Sequence, residues 1–389
     1  MVPLSYNVRN LVVRKTSSIT TALGIALVVW TLAASSMLNE SIHRTLGSSG
    51  KATNALVLRK GSDAELASNI ENANVGLILA APGVKTDAEG KPLGTAEAVV
   101  VIALGKTGEA GKVSNASVRG VQDNVLSVRP GVRIIAGRPA QPGTDEAIIG
   151  TRIRGRLDGL ELGKSFDIKK NRPITVVGVF EHGGSSFESE IWTDIETVRD
   201  SFGRQGLVSS VTVQLESTSK FDTFSATVEN DKQLGLEAMR EDEYYEKQSE
   251  GLTLFISIIA MVFTVAFAIG AMIGAVITMF AAVAQRRREI GTLLALGFSR
   301  TSIMLSFLFE SSFLALVGGA FGVLISLSLT FFSFSMVNFA TWSEIVFTFD
   351  PTPGILVKSV IIGAIMGLLG GFLPALSAAR TSPVLAMRD

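Results

Sequence analysis

The sequence predicts an α-helical membrane protein with four transmembrane helices and a large mixed α/β extracytoplasmic domain inserted between helices 1 and 2. Three observations carry that expectation. Hydrophobic residues make up 47% of the 389 and charged residues only 18%, whereas soluble domains carry about a quarter charged residues, and the mean hydropathy is +0.40. Four separate stretches stay apolar over the ~20 residues needed to cross ~30 Å of hydrocarbon. Between the first two lies a long segment of short apolar runs punctuated by Gly and Pro, the texture of a soluble domain.

Composition removes several function classes. With 35 basic and 35 acidic residues the chain is not a generally basic nucleic-acid binder, and no nucleic-acid partner is expected. The absence of Cys excludes disulfides, thiolate nucleophiles and cysteine metal sites. His43 and His182 are the only histidines and lie far apart, so no multi-histidine metal centre is expected. No catalytic constellation stands out, which points to a non-enzymatic chain.

Residues 1–18 form a basic amphipathic start, read as a cytoplasmic helix, and residues 19–38 the first span. The apolar core of that span exceeds the 7–15 residues or so of a signal peptide, which favours a retained anchor over a cleaved leader. Residues 39–251 are the outer domain, expected in two lobes. Strands are expected at Asn54–Arg59, Ala98–Leu104, Ser117–Val121, Ser165–Lys169, Ile174–Phe180 and Ser209–Leu215. Helices are expected at Ser62–Asn72 with Ser62 as cap, Thr193–Phe202 and Lys220–Asn230. The acidic run Glu241–Glu246, with Tyr244 and Tyr245, reads as a solvated helix entering the second span, its tyrosines near the interface.

The second span covers 252–284, a loop 285–302, the third span 303–334, a short outer loop 335–354, the fourth span 355–379 and a tail 380–389. Arg9, Arg14, Lys15, Arg286, Arg287, Arg288, Arg300, Arg380 and Arg388 flank the spans on one side, against Glu289 and Asp389. The positive-inside rule makes that side cytoplasmic, with both termini inside and the large domain on the outer side of the membrane.

Two weak motifs read as ordinary structure. Gly163-Lys164-Ser165 lacks the preceding Gly of a phosphate loop and reads as a turn. His182-Gly183-Gly184 reads as a flexible surface loop rather than a catalytic turn. Within the spans, Gly270 and Gly274, Gly318 and Gly322, and Gly363, Gly367 and Gly371 recur at four-residue spacing, which lets helices pack closely. Glu310 is the single charge inside the third span, where charge is costly. A structural bond to a neighbouring helix or to arginines at the boundary is favoured for it over cation or proton binding. Pro374 is expected to kink the fourth span.

The loop after the second span carries Ile290, Leu293, Leu294 and Leu296 and ends at Gly297, a short amphipathic helix that needs a surface to dock on. Taken in order, the chain's motifs resemble the MacB/FtsX-type permease subunits of ABC transporters. The resemblance spans nearly the whole chain. It takes in the start at Leu4–Lys15, then Arg288-Glu289-Ile290-Gly291 through Ala295-Leu296-Gly297, and Glu310 followed by Gly318-Gly319 and Gly322. It closes on Pro374-Ala375, Ala378-Ala379-Arg380, Pro383 and Ala386-Met387-Arg388. Gly137-Arg138 and the stretch Val176–Phe180 resemble the family's periplasmic core domain, and Glu190-Ile191-Trp192 is similar to its DevC-like exporters.

The resemblance implies that the loop helix is a coupling helix seated on a separate ATPase, through Arg288, Glu289, Ile290, Gly291, Leu293, Leu294, Leu296, Gly297 and Arg300. It implies no cofactor on this chain, with ATP and Mg²⁺ bound by an ATPase dimer; no Walker lysine motif occurs in the sequence. It further implies a second permease copy, a periplasmic membrane-fusion adaptor, contact with membrane lipids, and efflux of a lipid, glycolipid, drug or peptide by mechanotransmission to the outer domain. An FtsX-like regulator of a cell-wall hydrolase and a lipoprotein-releasing permease remain alternatives.

Overall fold

The computed structural model describes residues 15–231, 234–339 and 341–382. The expected amphipathic start before residue 15, and the closing motif with Pro383 and Ala386-Met387-Arg388, lie outside the described residues. In chain order the helices of two turns or more are α1 (Lys15–Gly47), α2 (Asn72–Leu79), α3 (Ile195–Phe202), α4 (Phe221–Asn230), α5 (Glu241–Gln285), α6 (Arg287–Ala295), α7 (Arg300–Leu327) and α8 (Pro353–Ala379). The chain divides into two compact units. One comprises Met1–Glu40, Leu254–Phe332 and Thr348–Asp389; the other comprises Ser41–Thr253 and Ser333–Phe347.

The first unit is helical. Among the described residues α1, α5, α7 with its trailing turn, and α8 are long and apolar enough to cross a membrane. Glycines set how closely they pack. A Cβ on Gly318 or Gly322 of α7 would land on the carbonyl oxygens of Ala22 or Ala26 in α1, and one on Gly363 of α8 would strike Val29. A Cβ on Gly367 or Gly371 would strike Ala315 or Ser311 of α7. Gly270 and Gly274 behave otherwise: among the described residues nothing stands within 4 Å of a Cβ built on either. Close contact between α1 and α5 falls instead on Gly24 against Ala271. The physical reason is that α5 is little covered, with 11% of its apolar window buried. The helix α8 runs without a break through Pro374, which is buried.

The second unit is a mixed α/β fold. Its strands are β1 (Asn54–Arg59), β2 (Ile70–Glu71), β3 (Gly94–Gly105), β4 (Val113–Val121), β5 (Arg133–Gly137), β6 (Glu146–Gly150), β7 (Ser165–Lys169), β8 (Arg172–Glu181), β9 (Glu190–Asp194), β10 (Leu207–Val208), β11 (Ser210–Gln214), β12 (Leu236–Arg240), β13 (Ser333–Val337) and β14 (Glu344–Thr348). A ten-stranded sheet runs β12-β1-β11-β3-β4-β9-β6-β8-β5, with β7 on β8. The two expected lobes share this one sheet: β3 pairs β11 through Gly94–Glu97 and β4 through Ala98–Gly105. Asp194 caps α3 by accepting from the main-chain N–H groups of Glu196 and Thr197, and Gly203 ends that helix at φ +67°.

Three local expectations are corrected. Residues 62–72 are not one helix: a short turn at Glu65–Ala67 precedes β2, and α2 begins only at Asn72. The third span stops short of residue 334, since α7 ends at Leu327, a tight turn follows to Phe331, and Ser333 opens β13. The supposed loop after it is a hairpin, β13–β14, packed into the second unit. There the Ser189 hydroxyl accepts from Val346 N at 3.1 Å, Arg152 donates to Val346 O at 2.8 Å, and Lys106 pairs with Glu344 at 3.1 Å.

Replacing Gly318 by Val forces a side chain onto the α1 main chain, an overpacking that costs about 1–3 kcal/mol. Gly270→Ala meets open space and leaves stability unchanged or slightly raised. Thermal unfolding of the two variants in detergent, followed by intrinsic fluorescence, checks the contrast.

Candidate functional site

The candidate site is the turn-and-helix segment that follows α5. Helix α5 ends at Gln285, and Arg286 follows with a φ of −104° and ψ of 15° that leave the helical region. Its main-chain N–H still reaches the carbonyls of Ala282 and Val283, while its own carbonyl accepts from Ile290 N at 2.9 Å and so opens α6. Gly297, at φ +90°, closes the segment, and the Ser299 hydroxyl caps α7 by accepting from Ser302 N at 3.2 Å.

The apolar stripe of α6 turns inward. Ile290 is 2% exposed and packs with Met279, Val283, Ile303, Phe307, Ala375 and Ala378, and Leu293 and Leu294 lie against the same cluster. Gly291 is buried. The chain itself thus covers Ile290 and Gly291, while Leu293 and Leu294 are half-buried against the same cluster. The outward residues are Arg287, Arg288, Glu289, Thr292, Ala295 and, at 72% exposed, Leu296, followed by Gly297 and Arg300.

Glu310 is 3% exposed and accepts from Nη1 of Arg286 at 3.0 Å. The Arg286 guanidinium also lies 5.1 Å from the centre of the Phe307 ring and 3.4 Å from Glu289 Oε2. Arg286, counted among the loop charges from sequence, is in fact buried.

A second buried charge cluster lies in the α/β unit. Arg119 of β4 donates to Glu65 (2.7 and 2.9 Å), Glu97 (2.6 Å) and Glu190 (2.8 and 2.9 Å). Arg129 bonds Glu97 and Glu241, the first residue of α5. Phe187 sits between the two guanidinium groups, 5.3 and 4.5 Å from its ring centre. The surplus of carboxylates is met by neutral donors: Trp192 to Glu190, Ser210 to Glu65, and Asn54 with the Lys51 main chain to Glu241. Burial alone would raise the Glu65 carboxyl, but the charge and hydrogen bonds of Arg119, with the Ser210 hydroxyl, hold it below the ordinary value.

The run Glu241–Glu246 is a helix continuous with the apolar stretch, as expected, with Glu243 and Glu246 exposed, but one of its faces is not solvated. Glu241, Tyr244 and Tyr245 are buried, the Tyr244 hydroxyl accepts from Glu65 N, and Tyr245 stacks edge-on against Phe187. A Cβ on Gly50 would fall on the Glu241 main chain, so the first turn of α5 is closely held.

His182 is likewise not on a flexible surface loop. It is buried, shares a hydrogen bond with Ser185 at 2.8 Å and meets Phe187 edge-on, while Glu188 accepts from His182 N and Gly184 N. Burial, then the charges of Arg129 and Lys51, push it down to about 4. Gly163 takes a left-handed φ of +82° before β7. Arg138 pairs with Glu146 at 2.5 Å on the surface, and Trp192 lies in the core. No cluster of metal-ligating side chains occurs among the described residues.

A mixed α/β unit and, among the described residues, four helices long and apolar enough to cross a membrane fit a membrane protein with a large domain outside the lipid. The MacB-like periplasmic core domain model matches residues 18–231 and the FtsX-like permease C-terminal model matches 261–383. The chain belongs to the MacB/FtsX-type family of ABC transporter permeases. It is 30% identical over 231 residues to the macrolide export ATP-binding/permease proteins MacB of Escherichia coli K12 and Shigella flexneri, covering 56% of this chain and 34% of each relative. It thus spans about a third of the length of these curated relatives. Among solved structures, the extracellular domain of the ABC-type transporter YknZ from Gram-positive bacteria aligns at 20% identity and TM-score 0.36, covering 48% of this chain and 100% of that one. The periplasmic region of MacB from Actinobacillus actinomycetemcomitans aligns at 14% and 0.38, covering 50% and 92%.

Glu241→Ala strips Arg129 of one of its two carboxylates in a buried site, which costs about 3–5 kcal/mol. Glu246→Ala, on the exposed side of the same turns, stays within about 0.5 kcal/mol. Denaturant unfolding of both variants tests this. His182 stays neutral in the folded chain and takes up a proton on unfolding, so its contribution is complete above about pH 6.5 and is lost as pH falls towards about 4. The variant His182→Gln flattens the melting temperature measured across that window.

Proposed function

We propose that this chain is the membrane subunit of an ABC-type exporter, without a catalytic site of its own. A partner ATPase dimer binds ATP and Mg²⁺, and the outward face of α6 docks on it. The observation that carries this reading is the division of α6 into two faces. Ile290 is covered by the chain's own helices with Leu293 and Leu294 half-buried beside it, and Arg287, Arg288, Thr292 and Leu296 are left exposed. A short helix made rigid from behind can transmit force, whereas one of this length alone in water would melt.

In this reading the segment 285–302 and both termini are cytoplasmic, the membrane is the inner membrane, and residues 39–251 work in the periplasm. The basic loop supports that orientation. The 45 residues of α5 run unbroken from Glu241 to Gln285, which supports the transfer of ATPase-driven motion to the α/β unit. Two copies of the chain form a homodimer, and a membrane-fusion adaptor receives the substrate. The relatives named for macrolide export support efflux, with an amphipathic drug, peptide, lipid or glycolipid as cargo and a DevC-like system as the nearest type.

Arg288→Glu and Leu296→Glu should each abolish stimulation of a co-purified ATPase while the permease stays folded in the membrane. Ile290→Asp should instead lower the amount of folded protein, because it buries a carboxylate in the apolar cluster. ATPase assays in nanodiscs, normalised to membrane level, read both effects; normal stimulation by both exposed-face variants would place docking elsewhere.

A further inference from the structure

We propose that Arg286 is the positioning residue of the α6 face, fixing the direction in which α6 leaves α5. The inference rests on the proposed function only for the identity of the partner that α6 meets; the geometry stands alone. Arg286 is the one residue between two helices, with its main chain bonded back into α5 and forward into α6. A junction of this kind has free dihedrals, so something must choose its direction.

The side chain supplies the choice. Phe307 and Glu310 lie one turn apart on α7, and together they form a seat for the guanidinium: a ring face at 5.1 Å and a carboxylate at 3.0 Å. Glu289, on the first turn of α6, closes the other side at 3.4 Å. One planar side chain therefore touches three elements. Arginine suits this where lysine does not, because its flat, forked cation can stack and bond at once. The charge of Glu310 would be costly among apolar helices, and the pair cancels it. Apolar packing by Ile290 and Leu293 holds α6 against the bundle, but such contacts are not directional. The paired charges and the stacked ring are.

The chain has no cysteine, so two introduced ones can be labelled cleanly. Nitroxides at Leu296→Cys, the residue that follows α6, and Leu316→Cys on α7, both exposed sites, lie on the order of 25 Å apart, counting about 1.5 Å per residue along α7 from its start. In spin-diluted nanodiscs the native chain should show one narrow distance by pulsed electron paramagnetic resonance. Replacing both partners, Arg286→Met with Glu310→Met, removes the seat while keeping bulk, a change that buried ion pairs often tolerate without loss of stability. The expected result is loss of the single narrow distance at unchanged helical content. Retention of that distance overturns the proposal. So does its loss only together with the whole helical signal, since the pair would then be a stability element alone. In the complex with its co-purified ATPase, the doubly substituted chain should still bind but lose stimulation; native stimulation would again overturn positioning. Failure of the unmodified chain to bind any ATPase would instead sink the proposed function and leave the distance result to judge Arg286.

Discussion

A buried guanidinium group must meet a carboxylate, and this requirement sets both ends of α5. At the first residue Glu241 meets Arg129, inside a cluster built on Arg119 and Glu97. Just past the last residue Arg286 meets Glu310. Between these ends the helix is nearly bare, since little of its apolar window is covered by the chain itself. Apolar contact on α5 is concentrated in its last turns, where Ala275, Met279, Ala282 and Val283 are buried and Thr278 shares a hydrogen bond with Thr21. Added to it are the pairs where charge has been taken out of water, and breaking such a pair costs far more than loosening an exposed one.

The other long helices are held in a different way. Where α7 approaches α1, and where α8 approaches α7, glycine lets main chain meet main chain or a small side chain. Such contacts gain dispersion energy over many atoms and need no charge. They also tolerate no enlargement, because the space is already filled. The bundle thus combines a tightly packed set, α1, α7 and α8, with one helix, α5, whose apolar window is little covered. Gly270 and Gly274 share the spacing of the packing glycines without sharing their contacts, which shows that spacing marks a face that can pack closely without saying whether this chain uses it.

The long apolar helices were legible because hydropathy is a local property, β1 because of its apolar run Ala55–Leu58, and β7 because Phe166 and Ile168 alternate with polar residues. The five-residue strands β6, β9 and β12 were not, since each is short, flanked by polar residues, and made a strand by partners distant in sequence. Residues 62–72 looked helical from a capping serine, yet Glu65 is drawn into the bond with Arg119 and the chain must turn there. The acidic run before the second span misled for a similar reason. Its polar residues suggested solvent, but Glu241, Tyr244 and Tyr245 stand at i, i+3 and i+4, the spacing of one helix face. That spacing was the available signal. What it could not supply was the identity of the opposing charge, because Arg129 lies more than a hundred residues earlier.

The segment α6 carries the clearest limit on reading a function from amphipathicity. An apolar stripe states that a helix is covered, without stating by what. Here the stripe is spent on Met279, Val283, Phe307 and Ala375 of the same chain, so a partner would meet the remaining face, with its arginines and the single projecting Leu296. Recognition through such a face would rest on charge complementarity around one apolar knob, a contact that forms quickly and releases readily. Under the proposed function, a helix that engaged and released an ATPase once per cycle would need a modest interface in front and a firm one behind. That asymmetry, rather than the amphipathic pattern itself, is what the proposal asks of α6.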